Sequence, residues 1–450
     1  MAADLITRAI DAGRRALGAL VALVGCAGLI VGACAAPAAA LCGDLTGDGH
    51  VRSSDALRAL QLAIGRDYEA RGDVASAAPP DGLVSSTDAL VILQSATSAD
   101  VPSCAAATAT RVAAVTASID FATGGIAEIA LADFRVLRHQ LGFAAGDSVI
   151  RASDDRVFVL NRFASNNVQE LDHDSLDTLS QCSVGTGANP HDLTAIAEDR
   201  GYVTLYDKPG LAVVDLSSGP GCGGFVAGHV DLTPWSDDDG VPEMDQSVMV
   251  GERLFVALQL LERTSFFVPT GPGRLAVVDT TTDTVTTAID LAIENPFAET
   301  KGLVYHAASD RIYVGGPGNL FTDLDDGGIE IVDPVGLRSE GIVITGAELG
   351  GDLTDFVLVG TERAYALVAD ARFEVSLVEV DLGTRQVVAT LASSEFLISD
   401  IELDESGTLC MADRDPLRPG LRCFDIADNS ELTDEPVYPG LTPFNLVFLR

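Results

Sequence analysis

One stretch constrains the fold of this chain more than any other, because its plan recurs along most of the sequence. Between Pro190 and Leu216, three apolar runs rich in β-branched and aromatic residues are separated by two short polar turns. This pattern predicts a meander of three antiparallel strands. Copies of its middle strand begin at Arg156, Arg253, Arg311, Arg363 and Thr408. Copies of its third strand close on aspartates, which are Asp172, Asp215, Asp279, Asp333, Asp381 and Asp425.

The spacing of these copies predicts how the units assemble. A unit of this kind cannot bury its faces alone, so repeated four-stranded units stack around an axis. The residues that open the predicted innermost strands are Asp147, Asp192, Gln246, Lys301, Asp355, Asp400 and Asn445. The segment that starts at Asn445 ends the chain, and residues 111–142 supply three unpartnered strands for its blade. The sequence therefore predicts a mainly β fold, a seven-bladed β-propeller over residues 108–450, closed by its C-terminal strand.

Over the same residues the chain resembles the YVTN-type family of seven-bladed propeller repeats. The resemblance rests on the segment GTGANPHDLTAIAEDRGYVTLYDKPGLAVVDL. The family includes lactonase-like members, so the resemblance implies a fold and leaves the activity open. A propeller of the WD type is disfavoured, because Trp235 is the only tryptophan and falls in a predicted loop.

The charge balance restricts the partners that the protein can have. The 66 acidic residues exceed the 28 basic ones and give a formal net charge of -38. A field of this sign repels phosphate backbones, so nucleic acid is not an expected partner, and it favours divalent cations. With 47% hydrophobic residues, the chain can still bury a large core.

Residues 1–40 have the pattern of an export leader. Arg14 and Arg15 precede a long apolar run that ends in small residues, with a cleavage position after Ala40. A second interpretation takes Cys34 as the acylated residue of a lipoprotein, which would make its lipid the only contact with a membrane. A permanent membrane helix is the remaining alternative. Export is favoured, and it would place the protein in the periplasm, at the cell surface or outside a bacterium.

The cysteines favour an oxidising compartment. Two of the eight, Cys26 and Cys34, fall in the leader, and the other six are Cys42, Cys104, Cys182, Cys222, Cys410 and Cys423. An even number in an exported chain favours three disulfides. Cys410 and Cys423 lie on successive strands of one hairpin, Cys42 and Cys104 bracket a short module, and Cys182 and Cys222 remain. A metal site is the alternative, although none of the six has the close spacing that zinc sites prefer.

The module between Cys42 and Cys104 contains a second, shorter repeat, in which GDLTGDGHVRSSDALRALQLAIG is echoed by PPDGLVSSTDALVILQSATS. Calcium takes six to eight oxygen ligands, and a loop of this type supplies them at positions 1, 3, 5, 7 and 12. In the first copy these positions hold Asp44, Thr46, Asp48, the carbonyl of His50, and Asp55. The second copy offers Asp81, the carbonyl of Leu83, Asp88, and Asp73 if the intervening residues bulge out. The sequence predicts bound calcium, with the first site better formed.

Each loop leads into a predicted short helix, and the first helix has Leu57, Leu60 and Ile64 on one face. Residues 42–104 thus resemble the dockerin module, a duplicated calcium loop plus helix of secreted and cell-surface proteins. The resemblance implies a cohesin-like or cell-wall scaffold partner. It also implies that the contacting residues are Ser53, Ser54, Ser86 and Thr87. The alternative is that these four residues cap the helices.

The strand openers of the propeller predict a polar ring around the axial channel. Its carboxylates are Asp147, Asp192, Asp355 and Asp400, and acids gathered at one channel mouth must be solvated or bound to a cation. The ring is therefore either a cation site or a set of water-filled channel ends, where Asp and Asn start strands and hydrogen-bond the turns. The acidic turns 236–240 and 323–328 leave a similar choice between surface calcium and a solvated hairpin.

Catalytic motifs are scarce in this sequence. Among the histidines only His191 adjoins the ring, where Asp192 would orient it as a base, and a structural histidine is the alternative. No G-x-S-x-G, H-E-x-x-H or phosphate-binding loop is present. The favoured function is a non-catalytic propeller that binds an unknown ligand on its loop face, since a fold alone supplies no active site. The alternative is a lactonase-like hydrolase in which a channel cation polarises the substrate carbonyl.

Overall fold

The computed structural model describes the chain from the first helix to the last strand, with gaps. The described residues are 53–65, 68–69, 74–75, 92–93, 103–104, 111–153, 156–264, 267–298, 302–320, 326–372, 374–395 and 397–449. The chain divides into a unit of residues 1–41, which lies outside this range, and a unit of residues 42–450. The helices are α1 (Ser53–Gly65) and α2 (Gly346–Leu349), with a 3-10 turn at Thr233–Trp235. Within the described part, no helix is long and apolar enough to span a membrane.

The strands form seven antiparallel sheets of four or five strands and two antiparallel sheets of two short strands each. Six strands come first: β1 (Tyr68–Glu69), β2 (Val74–Ala75), β3 (Ser103–Cys104), β4 (Arg111–Ala117), β5 (Gly124–Ala130) and β6 (Val136–Leu141). Blade 1 is β7 (Ser148–Ser153), β8 (Arg156–Asn161), β9 (Asn167–Asp172) and β10 (Thr178–Ser183). Blade 2 is β11 (Pro190–Ala197), β12 (Arg200–Leu205), β13 (Gly210–Asp215) and β14 (Val226–Asp231).

The remaining blades follow the same plan. Blade 3 begins with β15 (Met244–Val250) and β16 (Arg253–Leu258), continues through the hairpin β17 (Leu261–Glu262) and β18 (Val268–Pro269), and ends with β19 (Pro272–Asp279) and β20 (Thr284–Glu294). Blade 4 is β21 (Leu303–His306), β22 (Arg311–Gly316), β23 (Gly328–Asp333) and β24 (Arg338–Thr345). Blade 5 is β25 (Asp352–Leu358), β26 (Arg363–Ala369), β27 (Val375–Asp381) and β28 (Gln386–Ser394). Blade 6 is β29 (Ile398–Leu403), β30 (Thr408–Asp413), β31 (Gly420–Asp425) and β32 (Ser430–Glu431).

The last strand, β33 (Thr442–Leu449), closes the ring. It pairs antiparallel with β4, with Thr442 opposite Ala117 and Leu449 opposite Arg111, so blade 7 has the order β33-β4-β5-β6. The prediction of seven blades joined through the C-terminal strand is confirmed. Because β33 pairs with β4, neither strand is left with an unpaired edge where the ring closes. Blade 7 is therefore built from both ends of the propeller sequence.

Blade 7 carries a fifth strand on its outer edge. β1 pairs with β6, with Tyr68 opposite His139 and Glu69 opposite Arg138. The side chains of Arg138, His139 and Gln140 are at most 3% exposed, whereas the outermost strands of the other blades, such as β10 and β28, alternate exposed and partly exposed residues. The segment before the propeller therefore covers the edge that the other blades leave open to solvent.

The core lies between the blades. Aromatic side chains on the second strands, Phe158, Tyr202, Phe255 and Tyr365, are at most 1% exposed and pack among Val, Ile and Leu of the adjoining strands. Central strands bury both of their faces, which explains why the middle runs of each repeat are almost continuously apolar. In α1, the buried residues include Ala56 and Ala59, whereas Leu57 is 45% exposed. The buried apolar residues in the described part of α1 are thus alanines, and the predicted Leu57 is not among them.

Two kinds of loop leave the sheets at opposite faces of the disc. The loop face carries the connections between strands two and three of each blade and those from one blade to the next. The turn face carries the tight turns between strands one and two and between strands three and four. There Arg111, Arg156, Arg253 and Arg363, which open second strands, each donate to a backbone carbonyl of a following blade.

The aspartates that close the third strands shape the next turns on the same face. Oδ1 of Asp215 accepts a hydrogen bond from the Ser217 amide at 2.9 Å, and Oδ1 of Asp279 accepts one from the Thr281 amide at 2.8 Å. The hydroxyls of Ser217 and Thr281 lead the causes that hold the pKa values of these aspartates below their usual range. The repeated arginine and aspartate of the sequence are thus explained by the structure of the turn face.

Two of the three predicted disulfides are present. Cys182 and Cys222 link the outer strand of blade 1 to the long turn of blade 2, with Cα atoms 5.3 Å apart. Cys410 and Cys423 face each other directly across β30 and β31, with Cα atoms 4.0 Å apart. The third prediction involves Cys42, which lies outside the described residues. Both observed pairs fit a protein that folds in an oxidising compartment.

Candidate functional site

Five of the predicted strand openers connect neighbouring blades at the channel. Each presents a side-chain oxygen to a backbone N–H on the innermost strand of the next blade. The pairs are Asp192 to Ser247 at 2.9 Å, Gln246 to Gly302, Asp355 to Ile401 at 3.1 Å, Asp400 to Leu446, and Asn445 to Ile150 at 2.7 Å. All five openers are at most 5% exposed. The innermost strands are sheet edges whose N–H groups need acceptors, and these side chains supply them.

The chemistry of this ring requires an acceptor rather than a charge. The amide oxygens of Gln246 and Asn445 take the same part as the carboxylates of Asp192, Asp355 and Asp400. The inner strands of the blades that carry these openers have a register irregularity at or next to them, which turns the side chain toward the next blade. Each such bond contributes about 0.5–1.5 kcal/mol net, and removing the acceptor would leave a buried N–H unsatisfied.

Asp147 lies outside this ring of hydrogen bonds. β7 has no bulge, so Val149, opposite Leu160, takes the position that Asp192 takes opposite Thr204 in blade 2. Asp147 precedes Val149 by two residues and accepts a hydrogen bond from Nε of Arg162 at 2.7 Å. The sequence spacing misplaces Asp147 because a bulge cannot be counted from a repeat. Lys301 lies outside the described residues.

The four predicted channel carboxylates fall into two environments. Asp147 and Asp192 each pair with an arginine, Asp192 through Nε of Arg151 at 2.7 Å. Asp355 and Asp400 instead hydrogen-bond each other, both completely buried. Burial raises the pKa of Asp355 to about 6, and burial together with the neighbouring Asp355 raises the pKa of Asp400 well above its usual value. Two buried carboxyl groups in contact favour sharing one proton over ionising together.

Arg151 links three blades at the channel. It bonds Asp192 of blade 2, and its Nη1 donates to Oδ1 of Asn445 on the closing strand at 3.2 Å.

Among the residues that the structure describes, no group of three or more His, Cys, Asp or Glu side chains is arranged to hold a metal ion.

A second polar cluster lies beside the ring, where blades 2 and 3 meet on the loop face. Nδ1 of His191 is 3.0 Å from Oδ1 of Asp245, and the imidazole stacks on Tyr206 with ring centroids 4.4 Å apart. The guanidinium of Arg263 also lies over Tyr206, 5.6 Å from its centroid, and its Nε bonds the carboxylate of Glu243 at 2.6 Å. The acid that orients His191 is thus Asp245, whereas the sequence had suggested Asp192.

Burial perturbs the acids of this cluster. It raises the pKa of Asp245 to about 8, with the charge of nearby Asp192 as the next cause, and it raises the pKa of Glu243 to about 7. Burial, followed by the charge of Glu243, also raises the pKa of Tyr206. Groups that titrate near neutral pH next to a histidine are suited to proton transfer.

The sequence contained a signal for the pair that was not recognised. His191 immediately precedes the opener Asp192, and Asp245 immediately precedes the opener Gln246. The two residues therefore hold the same repeat position in neighbouring blades, and the ring places them side by side. Arg263 and Glu243 carry no such positional signal, because they meet across connections of different length.

The loop face also concentrates exposed apolar side chains. Of the described residues, fourteen large apolar side chains are exposed, and ten of them lie in loop-face connections. These ten are Ile119, Phe121, Phe163, Phe267, Val268, Leu320, Leu397, Leu417, Leu432 and Tyr438. The turn face has only Val335 among the described residues. Two clefts open on the loop face, one of about 440 Å³ between 416–419 and 435–438, and one of about 380 Å³ beside the acidic turn 236–240.

Most of the predicted calcium ligands lie outside the described residues. These are Asp44, Thr46, Asp48, His50, Asp73, Asp81, Leu83 and Asp88, together with Ser86 and Thr87 of the predicted docking contact. Asp55 is described, and it is completely buried in the first turn of α1. Ser53 and Ser54 begin the same helix. A buried carboxylate here fits the last ligand of a calcium loop that leads into a helix.

Comparisons with known proteins support the fold alone. A candidate 6-phosphogluconolactonase of Bacteroides fragilis is 14% identical, with a TM-score of 0.53, over 76% of this chain and 98% of its own. Another candidate 6-phosphogluconolactonase, from Bacteroides uniformis, is 11% identical, with a TM-score of 0.53, over 75% of this chain and 99% of its own. No family model and no curated protein matches the sequence.

Proposed function

We propose that this protein is an exported, non-catalytic β-propeller that binds a partner on its loop face. The observation that carries the proposal is the placement of ten of the fourteen exposed large apolar side chains of the described residues on that face. Exposed apolar side chains that are gathered on one face often mark an interaction site, whereas single exposed apolar residues scattered over a surface are normal. Asp192, Asp355 and Asp400 accept hydrogen bonds from the next blade, and Asp147 pairs with Arg162, so the channel carboxylates are already engaged within the fold.

Export is supported by the two disulfides and by the leader pattern of residues 1–40, with cleavage after Ala40 or acylation at Cys34. The repeats are of the YVTN type in this proposal. Residues 42–104 form a dockerin-like module that docks the propeller to a cohesin-like or cell-wall scaffold through Ser53, Ser54, Ser86 and Thr87. Calcium would be held by the two predicted loops, with Asp55 as the last ligand of the first.

A hydrolase is the second candidate, and the contact between His191 and Asp245 favours it. With Nδ1 held by Asp245, the other ring nitrogen of His191 could take a proton from water that attacks a lactone carbonyl. A version built on a cation between Asp147, Asp192, Asp355 and Asp400 has less support, because arginines already neutralise the first two. The likeness to candidate lactonases extends to the fold only.

A capture experiment tests the binding proposal. The full-length protein is immobilised beside a loop-face variant, Phe163→Asp with Leu417→Asp, and a turn-face control, Val335→Asp. Each is exposed to the exported proteins of the source organism, and the retained proteins are identified by mass spectrometry. We expect the wild type and the control to retain a common set that the loop-face variant loses. Identical retention by all three proteins would contradict the proposal.

A kinetic assay tests the hydrolase. Hydrolysis of a sugar lactone is followed with the wild type and with His191→Ala. Under the binding proposal neither protein accelerates the reaction. Acceleration by the wild type that is lost in His191→Ala would establish the hydrolase instead.

A further inference from the structure

Three consecutive blades contribute one set of exposed apolar side chains, here called the apolar arc. It consists of Ile119 and Phe121 of blade 7, Phe163 of blade 1, Leu417 from the β30–β31 connection of blade 6, and Tyr438 from the connection between β32 and β33. Their exposed fractions run from 40% for Phe121 to 70% for Phe163 and 89% for Leu417. Large apolar side chains are unfavourable in water, and a partner that covered them would remove this apolar area from water.

The arc is held rigidly from beneath by aromatic and arginine contacts. The rings of Phe121 and Phe444 meet edge to face at 5.4 Å, and the guanidinium of Arg414 lies 4.8 Å from the centroid of Phe121. Arg162 lies over Phe444 at 5.5 Å and is itself paired with Asp147. Because Arg162 and Arg414 are at most 8% exposed, they support the arc and add little charge to its surface.

Phe121 is held in a strained backbone conformation. Its φ of 56° lies in the left-handed region, which a bulky residue avoids unless its surroundings impose it. The Phe121 amide donates to the Ser118 carbonyl at 2.9 Å, and the Asp120 carboxylate accepts from the Ala122 amide at 3.1 Å. Gly146 packs so closely on the Phe121 carbonyl that a Cβ atom there would lie 1.9 Å from it. A pre-set aromatic side chain loses little conformational entropy on binding, as interface anchors do.

The surroundings of the arc define the charge of its partner. Among the described residues, its exposed charged neighbours in sequence are Asp120, Asp434 and Glu435, against the one cation Arg418. A hydrogen bond from Ser118 leads the causes that lower the pKa of Asp120, so this carboxylate stays ionised. The whole chain adds a net charge of -38. A field of this sign repels a second copy of the chain and nucleic acid, and it attracts basic polypeptides.

We propose that the apolar arc binds a basic polypeptide segment that carries large apolar side chains, one of which enters the cleft beside Leu417 and Tyr438. The cleft measures about 440 Å³ and is lined by three prolines, Leu417 and Tyr438 with Arg418 and Glu435 at its rim. That volume lies in the range of about 300–1,000 Å³ usual for binding clefts. The proposal rests on the loop-face binding proposed above and specifies the chemistry of the partner.

The test uses the full-length protein and defined peptides. The probe is a short, end-blocked peptide of alternating lysine and tryptophan, and the control peptides replace lysine by glutamate or tryptophan by serine. Binding is measured by calorimetry. We expect the lysine–tryptophan peptide to bind, both controls to bind at least about tenfold more weakly, and affinity to fall with added salt.

Protein variants then locate the binding. Phe163→Asp and Leu417→Asp each add a negative charge, which would strengthen a purely electrostatic attraction, so a loss of about tenfold or more reports an apolar contact. Val335→Asp adds the same charge on the turn face and should leave the affinity unchanged. Unfolding midpoints confirm that the variants are folded, as expected for side chains this exposed.

Absence of binding by the lysine–tryptophan peptide, equal binding of the glutamate peptide, or full affinity in both arc variants would overturn the partner assignment. The capture experiment separates this failure from failure of the loop-face function. If the variant with Phe163→Asp and Leu417→Asp still loses the proteins that the wild type captures, only the assigned chemistry of the partner is wrong. If that variant captures the same proteins as the wild type, the loop-face function is also wrong.

Discussion

Asp245 shows how strongly the interior of this propeller alters an ordinary side chain. It is 3% exposed, lies beside Asp192 and holds Nδ1 of His191. In the unfolded chain its pKa is close to 4, and burial raises it to about 8. The folded protein therefore binds more protons than the unfolded chain between about pH 4 and pH 8. Over that interval the free energy of unfolding falls as the pH rises.

This shift predicts a specific effect of Asp245→Asn. An asparagine keeps an acceptor for His191 but cannot ionise, so the variant should lose less stability than the wild type between pH 5 and pH 8. Urea unfolding midpoints at the two pH values measure the difference. The matched control is Asp238→Asn, an exposed acid of the same loop face, which should keep the wild-type slope. An unaltered slope in Asp245→Asn would contradict the assigned cause.

For single residues, the sequence predicts which residue types line the channel better than it predicts which side chains contact each other. It identified His191 as the histidine beside the channel, but it chose the neighbour in sequence as the orienting acid. Residues adjacent in a strand point to opposite faces, so a contact between them is rarely the functional one. The true partner, Asp245, comes from the next blade, and only an alignment of repeat positions could have found it.

Among the elements, β1 and β6 carry a prediction of their own. The fifth strand of blade 7 covers Arg138, His139 and Gln140, which the structure buries. A chain that begins at residue 105 should therefore unfold at a lower temperature and expose an edge that favours association. Thermal unfolding and light scattering measure both effects. An unchanged midpoint and a monomeric sample would show that the covering strand contributes no stability.

The calcium loop before α1 leads to a second prediction at this scale. If Asp55 closes a calcium site, a chelator should lower the unfolding midpoint of the full-length protein, and added calcium should restore it by mass action. Asp48→Ala should remove most of this response. The matched change Asp88→Ala, in the second loop, should remove less of it. A response to calcium that is undiminished in Asp48→Ala would disprove the first site.

The elements were the most predictable part of the fold. The repeat of strands, the count of blades, the closing strand and two disulfides all followed from periodicity and spacing, because each is set by local pattern. The bulges of the innermost strands did not, since a bulge changes register by one residue without a composition signal. That is why Asp147 was placed in the ring, where Val149 stands.

For the whole molecule, closure should control stability. Deletion of residues 444–450 removes most of β33, the Asn445 bond to Ile150 and the Phe444 ring that supports Phe121. We expect the deletion to destabilise every blade together, seen as a lower midpoint of a single unfolding transition. A matched change at a free outer edge, deletion of β32 at Ser430–Glu431, should cost far less. Equal midpoints for the closing-strand deletion and the wild type would refute closure by β33.

The binding proposal depends on a structural role for the channel carboxylates, since a cation held there would favour the hydrolase. Unfolding of Asp355→Asn and Asp355→Ala at pH 8, with and without a chelator of divalent cations, tests that role most directly. The parent chain for both variants carries Asp48→Ala and Asp88→Ala, so that the predicted calcium loops do not respond to the chelator. An asparagine still accepts the Ile401 N–H and carries no charge, so we predict the stability of the parent chain or better, without effect of the chelator. Asp355→Ala should lose about 1–3 kcal/mol, because it leaves that N–H unsatisfied. If asparagine is as damaging as alanine, and the chelator destabilises the parent chain to the same extent, the ring holds a cation and the structural role is wrong.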